Sequence, residues 1–179
     1  MHSHRYDPKL SIRSCRSEAV QVALFWHGDD SHSSISGSGS GSGNMMLFSI
    51  KQKVLFKHCD PAGIVLYPRY FEMINDCVEA FFDEIGTPFE TLLITAGTPT
   101  AQISTTFLAP SRHGDLLVIT LEVVRIGTSS INLSVRGSTA AERRFITETT
   151  LVYTNKLGRP QKWPDLIRNA LIPYLRSNL

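Results

Sequence analysis

Residues 58–86 read HCDPAGIVLYPRYFEMINDCVEAFFDEIG, a tight turn followed by an apolar pattern of helical period. Pro68 suits the first turn of a helix because its ring fixes φ near the helical value, and Gly86 suits the residue after the helix end. Between them, apolar residues recur at three- and four-residue spacing: Phe71, Met73, Ile74, Cys77, Val78, Phe81, Phe82 and Ile85. The pattern predicts a long amphipathic helix whose wide apolar face must be covered by other elements.

The segments on both sides of this helix have the pattern of β-strands. Residues 47–57 carry a partly alternating apolar run, which we expect to form a strand that ends at the turn. Short turns separate four further predicted strands, at 100–108, 116–126, 130–138 and 145–155. A closing helix that contains Pro173 is predicted at 164–176. This order predicts an α+β fold in which one antiparallel sheet curls around one central helix.

The first part of the chain differs in composition from the rest. Residues 36–43 alternate strictly between Ser and Gly, as in a flexible linker. Residues 1–35 contain one short apolar patch, at 20–26, which cannot make a core alone. We therefore predict a flexible extension at 1–44 and one globular domain at 45–179. The regular linker favours an origin in an expression vector, and translation ahead of the true start is the alternative.

Composition excludes several classes of protein. Hydrophobic residues make up 42% of the chain and charged residues 19%, which is ordinary for a globular domain. The net charge is only +2 and the basic residues are scattered, so we predict no nucleic-acid partner. Cys15, Cys59 and Cys77 form neither a disulfide framework nor a zinc motif. The chain has no membrane-length apolar stretch and no signal core, so we expect a cytoplasmic protein. Since it also has no metal motif, we expect neither a metal nor another cofactor.

Residues 60–70, DPAGIVLYPRY, resemble the D-P-A-G-I-V-x-Y-P-x-Y stretch of the 4-hydroxybenzoyl-CoA thioesterase family. The resemblance extends to the order of elements from residue 47 to about residue 176. It implies a hotdog fold that hydrolyses an aryl-CoA or short-chain acyl-CoA thioester. It also implies that Asp60 is catalytic and that Tyr67 donates its main-chain N–H group to the thioester oxygen.

The residue types in this stretch suit that chemistry. Thioester hydrolysis needs a nucleophile or base beside the carbonyl and a donor for the developing oxyanion. Asp60 can attack the carbonyl or activate water, and the N–H groups at the start of the predicted helix point towards the same region. Whether Asp60 forms an anhydride or acts through water stays open. The simpler alternative makes Asp60 a turn residue with a capping side chain.

Further residues are assigned through the same resemblance. Thr98 lies in a Gly-Thr-Pro that is similar to the family's acyl-pocket segment, with a plain turn as the alternative. Asn75 stands where the hydroxybenzoyl enzymes place an Asp that faces the substrate's phenolic group. The acid is absent here, which leaves open whether the aryl substrate is 4-hydroxybenzoyl-CoA or one like it. Arg125, Thr128 and Ser129 look like the family's phosphate-contacting turn, which implies CoA binding, although Arg125 is equally suited to a solvated strand end.

Exposed sheet edges favour assembly, since two such sheets joined edge to edge would cover them. We therefore predict a homodimer or homotetramer. Two other functions stay open: a non-catalytic module that binds acyl-CoA, and an enoyl-thioester hydratase, which would need a His beside an Asp in its helix-edge motif. His58 and Cys59, as neighbours on a strand, would point to opposite faces and form no dyad. We expect a strand-end His and a buried Cys.

Overall fold

The computed structural model describes residues 46–176, so the predicted extension at 1–44 lies outside the described residues. The elements follow in chain order: β1 (Phe48–Lys53), α1 (Tyr67–Glu84), α2 (Phe89–Thr95), β2 (Ala96–Gly97), β3 (Thr100–Phe107), β4 (Leu116–Ile126), β5 (Ser130–Ser138), β6 (Arg143–Val152), β7 (Thr154–Asn155) and α3 (Asp165–Leu171). Single 3₁₀ turns lie at Phe56–His58 and Ile172–Tyr174. Within this range, no helix is long and apolar enough to cross a membrane.

Five strands form one antiparallel sheet in the order β1-β4-β5-β6-β3, and β2 pairs with β7 in a small second sheet. Alternate residues of the central strands face α1 and are fully buried, such as Leu117, Ile119 and Leu121 on β4. The 18-residue helix α1 buries its apolar face against them. The predicted α+β plan, a sheet wrapped around a central helix, is confirmed, and it is the hotdog arrangement.

The helix α1 begins and ends where the sequence predicts. Pro68 lies in its first turn. Gly86 has a φ of +71°, a left-handed conformation that glycine adopts without steric cost and that terminates the helix. Phe81 and Phe82 are completely buried, whereas Phe71 is half-buried. The helix therefore supplies the centre of the core along most of its length.

Three predicted boundaries are wrong, and one helix was not predicted. The strand predicted at 47–57 ends at Lys53, and a 3₁₀ turn follows it. The strand predicted at 145–155 is two strands, β6 and β7, because the chain leaves the main sheet at Tyr153. The closing helix is only Asp165–Leu171, since Pro173 cannot continue its hydrogen bonds. Helix α2 lies in a segment for which we predict no element.

The C-terminal segment completes the sheet beyond β1. β1 pairs with β4 only as far as Leu121, and Arg176 then donates its N–H group to the carbonyl oxygen of Val123 at 2.7 Å. The side chain of Arg176 pairs with the carboxylate of Glu122, which Arg136 contacts at 2.6 Å. Glu122 is 4% exposed. Its hydrogen bond from Arg176 and the nearby charge of Arg136 outweigh burial and lower its pKa.

Gly137 is required by the packing of a neighbouring ring. A Cβ atom at this position would lie 2.1 Å from Cε1 of Phe145, on the adjacent strand β6. Phe145 is fully buried and packs its ring 5.3 Å from that of Tyr70, measured between centroids. A side chain at position 137 would therefore displace a ring that supports α1.

We expect Gly137→Ala to lower the free energy of unfolding by about 1–3 kcal/mol, because overpacking forces rings and backbone out of their preferred positions. Urea denaturation followed by circular dichroism measures this change. Ser138→Ala, at the next position of β5, is the matched control and should change little. Equal stability of Gly137→Ala and wild type would contradict the packing described.

We expect Glu122→Gln to destabilise the protein by about 1–3 kcal/mol at pH 7, since two guanidinium groups lose their charged acceptor. The native pKa of Glu122 lies below its ordinary value of 4.5, so its stabilisation is present above that pH and is lost as pH falls through the native pKa. The stability gap between variant and wild type should therefore narrow on acidification. Urea titrations at several pH values test this, with Glu79→Gln on exposed α1 surface as the control.

Candidate active site

Asp60 lies in a closed loop between the 3₁₀ turn and α1. Its N–H group donates to the carbonyl oxygen of Ile64 at 3.0 Å, and the N–H group of Gly63 donates to the carbonyl oxygen of Asp60 at 2.9 Å. Gly63 has a φ of +76°, which a larger residue would adopt only with strain. The loop is closed because this conformation returns the chain towards α1.

The carboxylate of Asp60 is oriented by the same loop. Its Oδ1 atom accepts a hydrogen bond from the N–H group of Ala62 at 2.8 Å. The second oxygen, Oδ2, has no hydrogen-bond partner in the described part of the chain, and the side chain is half-buried. Asp60 is therefore a turn residue, as the simpler alternative says, and it also keeps one carboxylate oxygen available for chemistry.

The start of α1 presents a free donor beside this loop. The N–H group of Leu66, the residue before α1, donates to the carbonyl oxygen of His58 at 3.0 Å. Pro68 has no N–H group. Within residues 46–176, the N–H group of Tyr67 makes no hydrogen bond, and it lies at the positive end of the helix dipole. Tyr67 can therefore donate to an oxygen atom that develops negative charge in front of the helix.

A cleft of about 350 Å³ joins the carboxylate to the helix start. Its walls come from the Asp60 loop, from the first turn of α1 and from the end of β3 with the segment after it: Asp60, Ile64, Val65, Leu66, Tyr67, Tyr70, Phe107, Leu108, Ala109 and Pro110. Most of these side chains are apolar. The cleft therefore brings one carboxylate and one N–H donor together between mainly apolar walls.

A second cavity of about 280 Å³ lies farther along the same helix and strand. Its lining is mainly apolar with a few amide and hydroxyl groups: Phe71, Ile74, Asn75, Val78, Phe89, Thr98, Thr100, Ile103, Thr149 and Leu151. Asn75 and Thr98 thus meet in one cavity. The rings of Tyr67 and Phe71, 6.5 Å apart between centroids, connect the two spaces. Sequence reasoning missed Phe89 and Thr149 because α2 and the pairing of β6 with β3 bring them here.

Arg125, Thr128 and Ser129 lie at the opposite end of the sheet from Asp60. The Asp60 loop follows the end of β1, which pairs with the start of β4, whereas Arg125 is near the end of β4. The eleven-residue strand spans about 33 Å at the usual rise. Arg125 and Thr128 are exposed, so their side chains are accessible, but not to the Asp60 loop of the same protomer.

The turn that carries Thr128 and Ser129 is held by the C-terminal part of the chain. Its three carbonyl oxygens accept hydrogen bonds from the guanidinium of Arg168 at 2.8 Å, from Trp163 N–H at 3.0 Å and from Tyr153 N–H at 2.7 Å. The turn's conformation therefore depends on distant residues. This support gives it a fixed shape whatever its side chains bind.

Tyr70 connects the Asp60 loop to the segment that follows β3. Its hydroxyl oxygen accepts the N–H group of Ser111 at 3.0 Å, and the carbonyl oxygen of Ser111 accepts the N–H group of Val65 at 2.9 Å. Ile64 and Arg112 also form an isolated bridge. Tyr70 belongs to the motif, yet its role in joining these segments has no local signal, since Ser111 lies 41 residues away.

His58 and Cys59 form no dyad, as predicted, but for a different reason. They belong to a 3₁₀ turn and its end rather than to a strand. The Nδ1 atom of His58 accepts the N–H group of Leu55 at 3.0 Å, and the side chain is 5% exposed. Cys59 is half-buried rather than buried. Cys77 is the buried thiol, and burial raises its pKa to about 12, which leaves it protonated and unreactive.

Comparison with known proteins finds a matching family and a curated relative. The family described as the thioesterase-like superfamily matches residues 54–171, which include the Asp60 loop, both cavities and the turn at 127–129. The 4-hydroxybenzoyl-CoA thioesterase of Pseudomonas sp. (strain CBS-3) is 28% identical over 75 residues, 40% of this chain and 53% of that enzyme. The match thus spans about half the length of the curated relative.

Solved structures share the fold. A 1,4-dihydroxy-2-naphthoyl-CoA thioesterase from Synechocystis superposes with a TM-score of 0.67 at 18% identity, over 71% of this chain and 96% of its own. A Staphylococcus aureus protein in complex with CoA superposes with a TM-score of 0.71 at 17% identity, over 78% of this chain and 92% of its own. At these identities the likeness establishes a shared fold.

Proposed function

We propose that this chain, which belongs to the thioesterase-like superfamily, hydrolyses an acyl-CoA thioester to the free acid and CoA. The observation that carries the proposal is the shared cleft of Asp60 and the start of α1. One oxygen of the carboxylate is held by the Ala62 N–H group, and the other is free to react. A thioester carbonyl between this oxygen and the Tyr67 N–H group would meet both groups that the reaction needs.

Two routes use this arrangement. In the first, Asp60 removes a proton from water while the water oxygen attacks the carbonyl carbon. The C–S bond then breaks, and protonated Asp60 returns the proton to the leaving sulfur, which departs as the CoA thiol. In the second, the Asp60 oxygen attacks the carbonyl carbon and the C–S bond breaks, which gives an acyl anhydride and the CoA thiolate, and the thiolate takes a proton from solvent. Water then hydrolyses the anhydride to the free acid and regenerates Asp60. In both routes Tyr67 N–H donates to the carbonyl oxygen as negative charge develops there.

The second cavity supports an aryl or short acyl group as the substrate. A space of about 280 Å³ with apolar walls suits a ring or a short chain, and Asn75 and Thr98 add donors and acceptors at its surface. The named relatives act on hydroxylated aromatic thioesters, 4-hydroxybenzoyl-CoA and 1,4-dihydroxy-2-naphthoyl-CoA. We infer that the acyl group extends from Asp60 past Tyr67 into this cavity and that Asn75 contacts its polar substituent.

We also infer that the working unit is a homodimer or a homotetramer. Strand β3 pairs only with β6 within the described residues, and most of its side chains are exposed. Two copies joined along β3 about a two-fold axis would run antiparallel, which brings the start of one β3 beside the end of the other. Arg125, Thr128 and Ser129 would then serve CoA bound at the partner's Asp60.

A cytoplasmic location remains our inference. Cys59 and Cys77 are both free thiols in the described part of the chain, and they agree with a reducing compartment. Both proposed routes of hydrolysis use only Asp60, the Tyr67 N–H group and water, so we expect no cofactor.

We expect the full-length protein to release thiol from one or more members of a panel of aryl-CoA and short acyl-CoA thioesters. Asp60→Asn should lower kcat/KM at least about a hundredfold, the scale expected for loss of a positioned base or nucleophile. Asp83→Asn, an exposed carboxylate near the end of α1, is the matched control. Binding of CoA thioesters without turnover, or equal turnover in Asp60→Asn, would instead favour a non-catalytic binding module.

We expect Asn75→Leu to discriminate between substrates that differ by a hydroxyl group. Loss of one hydrogen bond should lower kcat/KM for 4-hydroxybenzoyl-CoA about two- to tenfold, while benzoyl-CoA is affected less. Steady-state kinetics on the two thioesters measures the ratio. Asp76→Leu, the next and exposed residue of α1, controls for a general effect on the helix. A parallel loss on both substrates would count against a contact between Asn75 and the acyl group.

A further inference from the structure

His58 joins both ends of the Asp60 loop. On one side, its Nδ1 atom accepts the N–H group of Leu55 at 3.0 Å and holds the 3₁₀ turn closed. On the other side, its carbonyl oxygen accepts the N–H group of Leu66 at 3.0 Å, immediately before Tyr67. Asp60 lies between these two points. The loop that carries the carboxylate is therefore anchored at its entry and its exit through one residue.

We propose that His58 is a positioning residue. It holds Asp60 and the Tyr67 N–H group in their relative positions only while its imidazole is neutral. The kinetic consequence of this inference rests on the proposed thioesterase function. Its structural consequence, the link between His58 and the Asp60 loop, does not. His58 does not line the cleft and contacts no position where the thioester would lie. It acts through Leu55 and Leu66.

The hydrogen bond to Leu55 requires one protonation state. Nδ1 accepts a hydrogen bond from the Leu55 N–H group, so the ring proton of neutral His58 must lie on Nε2. Protonation would place an N–H group on each ring nitrogen, and the donor of Leu55 would then face the donor at Nδ1. Protonation therefore breaks the hydrogen bond from the Leu55 N–H group, and only the backbone bonds from His58 N–H to Leu55 at 3.0 Å and from Cys59 N–H to Phe56 at 3.1 Å still close the turn. We expect the weakened turn to shift, and with it the carbonyl that holds Leu66.

The surroundings of His58 also disfavour its charged form. The side chain is 5% exposed. Burial is the main cause of its lowered pKa, and the cations Lys57 and Arg69 lower it further, against the opposing effect of Glu72 and Asp76 on α1. Because the native pKa lies below the ordinary 6.5, the neutral form contributes stability above that pH, and this contribution falls as pH drops from 6.5 through the native pKa.

Two variants separate the hydrogen bond from the charge. His58→Asn keeps an acceptor at the position of Nδ1, since Oδ1 of Asn occupies the same place along the side chain, but it cannot titrate. His58→Leu fills the site and removes the acceptor. His113→Asn replaces an exposed histidine in the segment after β3 and is the matched control.

Thiol release from the favoured CoA thioester, measured between pH 4.5 and 8, gives the kinetic readout. At pH 8, His58→Asn should stay within about threefold of wild type, whereas His58→Leu should lose about ten- to a hundredfold in kcat with a smaller change in KM, as expected for misplaced groups. Below pH 6.5, the acid-side loss of kcat/KM should move to lower pH in His58→Asn and in His58→Leu, since neither variant titrates at position 58, but it should not move in His113→Asn. The proposal would be overturned if the pH dependence of kcat/KM below pH 6.5 were the same in His58→Asn as in wild type, or if His58→Leu were fully active.

Amide NMR of the wild-type protein and of His58→Asn provides a test that does not depend on activity. The ¹H–¹⁵N resonances of Leu55, Asp60, Leu66 and Tyr67 should shift together with the imidazole of His58 on acidification, and this shared titration should vanish in His58→Asn. Independence of these amides from the His58 titration would overturn the proposal. If no thioester is hydrolysed but the shared titration is seen, the proposed function fails while the coupling of His58 to the loop stands.

Discussion

The burial of α1 by the sheet is the interaction on which the rest of the structure depends. Phe81 and Phe82 at the centre of this helix are completely excluded from water, as are the facing residues of β4 and β5. Burial of apolar surface on this scale is the main favourable term in folding. An 18-residue helix with so wide an apolar face cannot be covered by one flat neighbour, so the sheet must curl around it.

The same packing creates the candidate active site. Because the apolar face of α1 is held in the sheet, the start of the helix is fixed at one end of the core, with the Tyr67 N–H group directed outward. The Asp60 loop must close over this end. It does so through the left-handed conformation of Gly63 and through the hydrogen bonds that His58 makes on either side. Chemistry and core packing are thus coupled at the first turn of α1.

Packing also connects distant strands to the site. The absence of a side chain at Gly137 admits the ring of Phe145, and this ring supports Tyr70. Tyr70 in turn binds Ser111, whose carbonyl oxygen binds Val65 beside the cleft. This chain of contacts crosses three segments that are far apart in sequence. It gives the cleft a wall whose position is determined by the core rather than by the loop alone.

Local patterns in the sequence determined α1, the central strands and the position of Asp60 and Tyr67 at the helix start, because helical period, strand alternation and the Pro and Gly signals act over a few residues. Tertiary structure alone decided that β1 ends at Lys53, that α2 forms, that Asn75 and Thr98 share a cavity, and that Arg125 lies at the far end of the sheet. These features depend on strand order and on contacts between residues distant in the chain, such as Tyr70 and Ser111. No local pattern encodes such contacts, since their energies arise only when the whole sheet has assembled around α1.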